Sequence, residues 1–393
     1  MITFSTKWWI FFVRFIPPLV LLGMSQGKEL NPSARENDTI LGSTHTEPWV
    51  QYLEREYHSA QPVFSWALVG TGCIGTTGNI LTLIVFAKMG WASTFQISCT
   101  ALAASDLCCV LAILMCGITS MSRFGPDFTE NTYFYVSNIL GVAFSRTTAL
   151  ITAWISLERC LCVTFPMKVK LIITRRVTAF VLVAIFTVGA SLMVVALASF
   201  SFKYNSSSQN NTTSLTRVEN EPPETEGSRQ FMKLVVGLFL PILSWVSVIT
   251  CTTFLIVKLK EKGAWRRLNA RAVTVWSTES GVENTNHNQA LRVTEKRAVR
   301  VVLAVAGIFL VFTAPVSIHL LASFTLRDYF LDGSLRYLFI LNSMVCTLLS
   351  QLNSSINIIV FSVLGYNFRT ALLQVLSEVL STCCGCRFSP PRS

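Results

Sequence analysis

The stretch Ser156–Pro166, SLERCLCVTFP, places a carboxylate beside a guanidinium at the end of a long apolar block. The block begins near Tyr133, and a short apolar turn that carries two cysteines follows the Glu158–Arg159 pair. Long charged side chains suit the boundary between hydrocarbon and water, because their ends can reach the headgroups. On charge placement alone, the simplest interpretation is that Arg159 reaches the headgroup region and Glu158 pairs with it.

Composition also places the chain in a bilayer. Of its 393 residues, 51% are hydrophobic and 13% are charged, with a mean hydropathy of +0.52, whereas a soluble domain has about 25% charged residues. The net charge of +11 does not form the patch or stripe that nucleic-acid binding requires, because the basic residues lie between apolar blocks. The sequence therefore predicts a protein of the lipid bilayer that binds no nucleic acid.

Seven apolar blocks are long enough to cross the ~30 Å hydrocarbon core as helices, which takes about 20 residues each. Helices are expected because an open sheet edge in lipid would leave backbone groups unpaired. The predicted spans are approximately Val63–Phe86, Ile97–Ile118, Tyr133–Val163, Val177–Phe200, Leu234–Val257, Val301–Phe324 and Tyr337–Phe361. We therefore expect an all-α seven-helix membrane bundle over residues 63–361, an N-terminal tail over 1–62 and a C-terminal segment over 362–393.

Lysines and arginines predict the orientation of the bundle. Most of those between the blocks follow the first, third and fifth blocks, with nine from Lys258 to Arg297, so these segments should face the cytoplasm. The N-terminus should then lie outside, as expected for a multi-pass protein of the plasma membrane. Glycosylation triplets on the predicted outer side agree with this orientation; they begin at Asn37, Asn205, Asn210 and Asn211.

The segments outside the blocks carry further signals. Residues 1–24 have about the length of a signal peptide, and the sequence leaves open whether they are cleaved or retained. The polar segments Lys203–Arg229 and Lys258–Lys296 are predicted to be loops. Three cysteines near the C-terminus suit palmitoylation better than metal binding; they are Cys383, Cys384 and Cys386.

The opening stretch and several other motifs resemble the rhodopsin-like family of G-protein-coupled receptors. Glu158-Arg159-Cys160 stands where that family has Asp/Glu-Arg-Tyr at the end of the third span. Further marks follow in order: Gly78-Asn79, LAASD ending at Asp106, Pro241, Phe309, Pro315, NSSINIIVF from Asn353 to Phe361, and GYNFR from Gly365 to Arg369, which opens a short amphipathic segment like the family's eighth helix. The match covers roughly residues 63–380. It implies a receptor for an extracellular ligand that activates a heterotrimeric G protein.

The resemblance also implies roles for single residues. Asp106 would form a polar network with Asn79, Asn353 and Asn357, with water or a sodium ion between them; a single polar packing bond is the alternative. Glu295 would pair with Arg159 and hold the third and sixth helices together in the resting state. The alternative for Glu295 is a solvated helix end.

Two departures from the family concern the sixth and seventh spans. The sixth has Phe312-Thr313-Ala314-Pro315 in place of Cys-Trp-x-Pro, and the seventh has Asn357-Ile-Ile-Val-Phe361 in place of Asn-Pro-x-x-Tyr. Losing the proline should remove a kink, and losing the phenol removes a hydrogen bond. The family's disulfide between the third span and the following outer loop is also excluded, since Lys203–Arg229 contains no cysteine.

One buried charge bears on the ligand. Phe134–Ser145 holds no acid, which argues against a cationic amine ligand, and Arg146 lies about 20 Å along the helix from Arg159. Arg146 either pairs internally, with Asp106 or a carbonyl, or faces a cavity and binds a ligand carboxylate or sulfate. The residues expected to line that cavity with it are Gly141, Ser145, His319 and Gln351.

Within the family, LERCLCVTFPMKVK is most similar to divergent chemosensory and orphan peptide-type receptors of invertebrates. A non-signalling transporter or channel is the rival class, but the sequence shows no inverted repeat and no line of charges along a path. An enzyme is not expected, because Asp106 is the one carboxylate within a span away from its ends and no nucleophile–base pair accompanies it.

Overall fold

The computed structural model describes residues 48–91, 93–121, 132–165, 169, 172–198, 202–207, 212–217, 227, 231, 233–273, 282–326, 328–329 and 333–384. Residues Met1–Gln51 and Tyr52–Ser393 form separate compact units, and the bundle belongs to the second. Seven helices in the described chain are long and apolar enough to cross a membrane. The predicted all-α seven-helix fold is therefore confirmed.

The helices occur in the predicted order, and the fifth and seventh spans are each built from two pieces. The elements are α1 (Pro48–Met89), α2 (Thr94–Met121), α3 (Thr132–Thr164), α4 (Arg175–Ala198), β1 (Phe202–Ser207), β2 (Thr212–Arg217), a π-helical turn (Lys233–Phe239), α5 (Leu240–Val273), α6 (Val282–Thr325), α7 (Arg336–Ser355), α8 (Asn357–Leu364) and α9 (Tyr366–Cys384). The amphipathic helix that the sequence predicts as an eighth is α9, since α7 and α8 together form the seventh span.

Two predictions about polar segments are wrong. β1 and β2 pair antiparallel, with Phe202 opposite Arg217 and Ser207 opposite Thr212, where a loop was expected. The threonine-rich sequence of β2 suits a strand. On the other side of the bundle, α5 continues to Val273 and α6 begins at Val282, because Lys, Glu, Arg, Leu and Ala favour a helix even where the chain is too polar for lipid.

The first helix begins at Pro48, well before the predicted span at Val63. Proline is favoured in the first helical turn, where its missing N–H is not needed. Glu54 and Tyr57 of α1 pack on the start of α7, where Tyr337 Oη donates to Glu54 Oε1 at 2.7 Å and the Tyr57 and Tyr337 rings lie 5.9 Å apart. These contacts give the early turns a partner that hydropathy alone does not reveal.

Helix contacts divide each span into an inner face and a lipid face. α4 leaves Phe180 and Val183 more than half exposed, as expected for residues that contact lipid tails. The largest core cluster joins α1, α2, α3 and α6 near the predicted cytoplasmic end, around Phe86, Leu102 and Ile151. This packing holds the helix ends around Arg159 in place.

Candidate functional site

Asp106 lies fully buried in α2 and accepts hydrogen bonds from two other helices. Thr148 Oγ1 of α3 donates to its Oδ1 at 2.9 Å, and Asn357 Nδ2 of α8 donates to its Oδ2 at 2.7 Å. Ser105 Oγ lies 2.9 Å from Thr148 Oγ1 and extends the network. Because a carboxylate in a membrane is costly unless its oxygens have partners, these bonds tie the middle of the bundle together.

Asn79 and Asn353, also predicted for this network, lie to one side of the carboxylate. Asn79 Nδ2 donates to the backbone oxygens of Gly75 at 3.0 Å and Ser354 at 2.9 Å, which joins α1 to α7. Asn353 is buried in α7. Asn357 is thus the asparagine that contacts Asp106 within the described residues.

Gln351 does not line the predicted ligand cavity, which corrects its assignment from sequence. Its side chain is fully buried against α1, where Nε2 donates to the Leu68 oxygen at 3.0 Å and Thr71 Oγ1 donates to Oε1 at 3.0 Å. The close approach depends on Gly72, because a Cβ there would lie 2.7 Å from Gln351 Nε2. Gln351 therefore joins two helices instead of facing a ligand.

The seventh span is interrupted at Ile356 although it has no proline. α7 ends at Ser355 and α8 begins at Asn357, and in this part of the described chain no helical bond links the Asn357 and Ile358 N–H groups to α7. Ser355 Oγ donates back to the Gln351 oxygen at 2.7 Å, a bond that bends helices. Loss of the proline therefore does not leave a continuous helix in this span, because the interruption at Ile356 occurs without it.

Phe361, which stands where the family has tyrosine, lies in an aromatic cluster that we call the phenylalanine cluster: Phe86, Phe361 and Phe368. The Phe361 ring centroid lies 5.5 Å from that of Phe86 in an edge-to-face arrangement and 5.6 Å from that of Phe368. Phe361 is only 3% exposed. The cluster joins α1, α8 and α9, so apolar packing occupies the position of the missing phenol.

In α6, Phe309 packs in a core cluster with residues of α3 and α5, including Ala149 and Val248. One turn later, Thr313 Oγ1 donates to the Phe309 oxygen at 2.6 Å and accepts from Trp245 Nε1 of α5 at 3.0 Å. Pro315 lies inside α6 just beyond this pair. The indole that contacts the turn before Pro315 therefore belongs to Trp245 of α5, whereas the family's Cys-Trp-x-Pro motif places its tryptophan in the sixth span.

The Glu158–Arg159 pair lies at the end of α3 that is predicted to be cytoplasmic. Arg159 Nη2 donates to Glu158 Oε1 at 2.5 Å, Ser98 Oγ donates to Oε2 at 3.0 Å, and Thr94 Oγ1 also donates to Oε1. Glu158 is fully buried, and the Arg159 guanidinium lies 4.9 Å above the Phe95 ring. The pair is thus held against α2, and Arg159 is not simply extended into the headgroup region.

Several predicted residues lie outside what the structure describes. Glu295 lies within α6, and Cys383 and Cys384 end α9, but their side chains are outside the described set, as is that of Asn205 in β1. Asn37, Asn210, Asn211 and Cys386 lie outside the described residues altogether. The Arg159–Glu295 pair, the glycosylation sites and the palmitoylation sites therefore stay predictions.

A cavity of about 360 Å³ lies between α3, α4, the π-helical turn, α6 and α7. Three of the residues predicted to surround Arg146 line it, namely Gly141, Ser145 and His319. The remaining wall is mainly apolar and includes Ile113, Val142, Leu192, Met193, Leu240 and Val316. The volume is at the lower end of the range of roughly 300–1,000 Å³ that small-molecule sites occupy.

The π-helical turn shapes one wall of this cavity, to which it contributes Val236 and Gly237. Pro241 follows closely and has no N–H to donate to the preceding turn, so a wider turn can precede α5. Gly237 also lets Phe324 approach, because a Cβ at this position would lie 2.9 Å from the Phe324 ring.

Arg146 lines the cavity and is 8% exposed. Its Nε is buried without a hydrogen-bond partner. Among the described residues it makes no salt bridge, and the Asp106 oxygens bond to Thr148 and Asn357 instead. The alternative in which Arg146 pairs internally with Asp106 is therefore wrong.

His319 belongs to a hydrogen-bonded chain at the outer side of the cavity. Its Nδ1 lies 2.9 Å from Tyr329 Oη and its Nε2 lies 3.0 Å from Ser343 Oγ, while Ser343 donates to the Phe339 oxygen at 2.8 Å. Because Ser343 uses its proton on that carbonyl, Nε2–H donates to Ser343 and Tyr329 donates to Nδ1. Burial raises the pKa of Tyr329, which keeps this phenol protonated. Both ring nitrogens of His319 are thus occupied.

Sequence reasoning missed Trp245, Thr148 and Ser98. Trp245 is separated from Thr313 by 68 residues, and hydroxyl residues on apolar helices are usually explained by bonds to their own backbone. A signal exists only for Ser98, which lies four residues, about one helical turn, before Leu102 on the buried side of α2. Such pairs become visible only when the packing of neighbouring helices is known.

Comparison with known proteins agrees with this architecture. The sequence model of the family "7 transmembrane receptor (rhodopsin family)" matches residues 78–361. The crystal structure of squid rhodopsin superposes with a TM-score of 0.58 at 16% sequence identity, covering 83% of this chain and 87% of that one. No curated protein sequence matches significantly. Because the family match spans most of the bundle, the chain belongs to the rhodopsin family of seven-transmembrane receptors.

Proposed function

We propose that this receptor binds an extracellular ligand in the cavity beside Arg146 and activates a heterotrimeric G protein at the opposite end of α3. The N-terminus would lie outside the cell and the C-terminus inside, in the plasma membrane. A chemosensory small molecule or a short peptide is the proposed type of ligand. The single observation that carries the proposal is that α3 lines a ligand-sized cavity and also carries the Glu158–Arg159 pair, in which Glu158 is fully buried.

Activation would proceed through α6. The cavity includes Val316 and His319, just beyond Pro315, so ligand contacts would act on the segment where proline interrupts helical bonding. The Thr313–Trp245 bond links this segment to α5. Movement of the predicted cytoplasmic end of α6 away from α3 would expose Arg159 to the G protein, together with the segment 164–176 and the basic part of α5 near 258–267.

A sodium ion beside Asp106 is part of the proposal. The Thr148 hydroxyl contacts the carboxylate and the Ser105 hydroxyl contacts Thr148, and hard cations prefer such oxygen ligands. Bound there, the ion would supply a positive charge that balances the buried carboxylate. Asp106 would hold it and the two hydroxyls would orient it.

The test of coupling compares G-protein activation in cells expressing the wild type and Arg159→Ala at equal surface levels. The substitution should abolish ligand-dependent and basal activation, because it removes the cation at the cytoplasmic end of α3. Arg336→Ala, at the start of α7 on the opposite side of the membrane, serves as the control and should signal normally. Normal signalling by Arg159→Ala would contradict the proposal and favour a seven-helix protein that does not use this site.

A further inference from the structure

The cavity holds a cation without a counter-charge. Arg146 is more than nine-tenths buried, its Nε has no hydrogen-bond partner, and no Asp or Glu is among the described residues of the cavity wall. Burying an unpaired charge is unfavourable unless an opposite charge accompanies it. Within the described chain, no anionic side chain balances the charge of Arg146, which lines the cavity.

Other polar groups of the cavity do not meet this need. His319 uses both ring nitrogens within the protein, and Thr347 donates to the Ser343 backbone oxygen at 2.8 Å. Ser145, the residue before Arg146, also lines the wall. Arg146 is thus the only cationic side chain among the described wall residues, which matches a ligand that carries one negative charge.

The remaining wall sets the shape and polarity of the ligand. Aliphatic side chains dominate it, and its volume of about 360 Å³ is small for a binding pocket. A large peptide does not fit inside, and a strongly hydrated di-anion would leave polar groups facing apolar walls. A short apolar body attached to one planar or tetrahedral anionic group satisfies both conditions.

We propose that the ligand of this cavity is a small amphipathic monoanion, a carboxylate or a sulfate ester, whose charged group pairs with Arg146 while its apolar body lies against α4, α5 and α6. This inference rests on the proposed function in taking the cavity as the ligand site. The guanidinium fork can donate two parallel hydrogen bonds to either anion.

The test measures thermal unfolding of the purified full-length receptor in nanodiscs of phosphatidylcholine, a lipid without net charge. The probes are octanoate, octyl sulfate and the neutral octanamide, which share one chain length. A ligand that binds the folded state raises the unfolding midpoint Tm, so one or both anions should raise it at millimolar concentration, and octanamide should not. A response to octanoate alone or to octyl sulfate alone identifies the preferred anion. An equal response to octanamide, or no response to either anion, would overturn the proposal.

Variants of Arg146 make the test independent of folding defects. Arg146→Met removes a buried unpaired charge, so without ligand its Tm should equal or exceed that of the wild type, and the anion response should vanish. Arg146→Lys keeps the charge but loses the fork, and should retain a weaker response. Arg369→Gln, an exposed arginine of α9, should respond like the wild type. Persistence of the full anion response in Arg146→Met would overturn the proposal.

Measuring ligand binding and G-protein activation separately distinguishes a failure of the anion inference from a failure of the proposed coupling. If the anions raise Tm through Arg146 but do not activate a G protein, the inference stands and the proposed coupling fails. If another ligand activates the receptor through Arg159 while neither anion raises Tm, coupling stands and the anion inference fails.

Discussion

Trp245 of α5 donates its indole N–H to Thr313 Oγ1 of α6 at 3.0 Å, one turn beyond Phe309 and two residues before Pro315. The same hydroxyl donates to the Phe309 oxygen, so one threonine satisfies an indole and its own helix. Phe309, Trp245 and the α3 alanines pack in one cluster. The hydrogen bond and the cluster together join α3, α5 and α6 close to Pro315.

Breaking this pair should destabilise the receptor. Thr313→Val keeps the side-chain volume and leaves the indole N–H without its acceptor, which should cost about 1–3 kcal/mol of stability. Trp245→Phe in the Thr313→Val background should cost less than Trp245→Phe alone, and thermal unfolding of the four proteins in a double-mutant cycle measures this coupling. Ser317→Ala, which removes only a bond to the helix's own backbone, is the control. Strict additivity of the two substitutions would show that the bond contributes nothing.

Exchanging the side chains at positions 106 and 357 should restore stability that the single substitutions remove. Asn357→Asp places a second carboxylate at the 2.7 Å contact with Asp106 and should lower Tm strongly, because like charges repel in a medium of low dielectric constant. Asp106→Asn leaves two amides facing each other and should also lower stability. The double variant Asp106→Asn/Asn357→Asp restores one carboxylate and one amide, so it should be more stable than Asn357→Asp. A double variant no better than that single variant would argue against direct pairing.

Restoring the family's tyrosine at Phe361 should destabilise this receptor. Phe361 is 3% exposed within the phenylalanine cluster, so a hydroxyl there would be buried among aromatic rings at a cost of about 1–3 kcal/mol. Tyr52→Phe, a change by one oxygen at an exposed residue of α1, serves as the reciprocal control and should leave Tm nearly unchanged. A Phe361→Tyr protein as stable as the wild type would mean that the cluster can open to give the phenol a partner.

Glycines of α1 provide a matched pair of substitutions. A Cβ at Gly72 would lie 2.7 Å from Gln351 Nε2 and 2.9 Å from Leu114 Cδ1, whereas nothing lies within 4 Å of one at Gly70. Gly72→Ala should therefore force α1 away from α7 and cost about 1–3 kcal/mol. Gly70→Ala should be neutral or stabilising by up to ~1 kcal/mol, because alanine favours helix. Thermal unfolding of both variants decides this, and equal effects would contradict the packing.

Glu158 and Glu295 are the two candidate partners that would restrain Arg159 in the inactive receptor. Glu158 contacts Arg159 directly, and Glu295 is the partner that the family resemblance implies. If Glu295 closes the resting state, Glu295→Gln should raise basal G-protein activation above that of the wild type. Glu158→Gln removes the observed pair but keeps an acceptor for Ser98 and Thr94, and should raise basal activation if this pair restrains Arg159. An unchanged baseline in Glu295→Gln would exclude the latch between α3 and α6.

The spans could be predicted from sequence because a membrane helix must be both long and apolar, and few other segments are. Helix ends could not be predicted from hydropathy. The apolar sequence ends at the lipid boundary, whereas helical hydrogen bonding continues past it, as in α5 beyond Val257 and α1 before Val63. Arg146 was identifiable because a cation deep in an apolar block is rare. Gln351 was misassigned because the direction of a polar side chain depends on the neighbouring helix, and here Gly72 brings α1 close enough to bond it.

The break at Ile356 differs from a break caused by proline, because the residues that follow it keep their backbone N–H groups. A proline in place of Ile358 would have no N–H to donate, so that break would be permanent. Here Asn357 and Ile358 keep their N–H groups, and Ile356 itself has helical dihedral angles of −82° and −15°. A small rotation would let these donors reach α7 and make the span one continuous helix. The phenylalanine cluster joins α8 and α9 to α1, so the segment after the break is held to the first span. The seventh span of this receptor thus keeps two backbone N–H donors at its break, whereas a proline at position 358 would leave one.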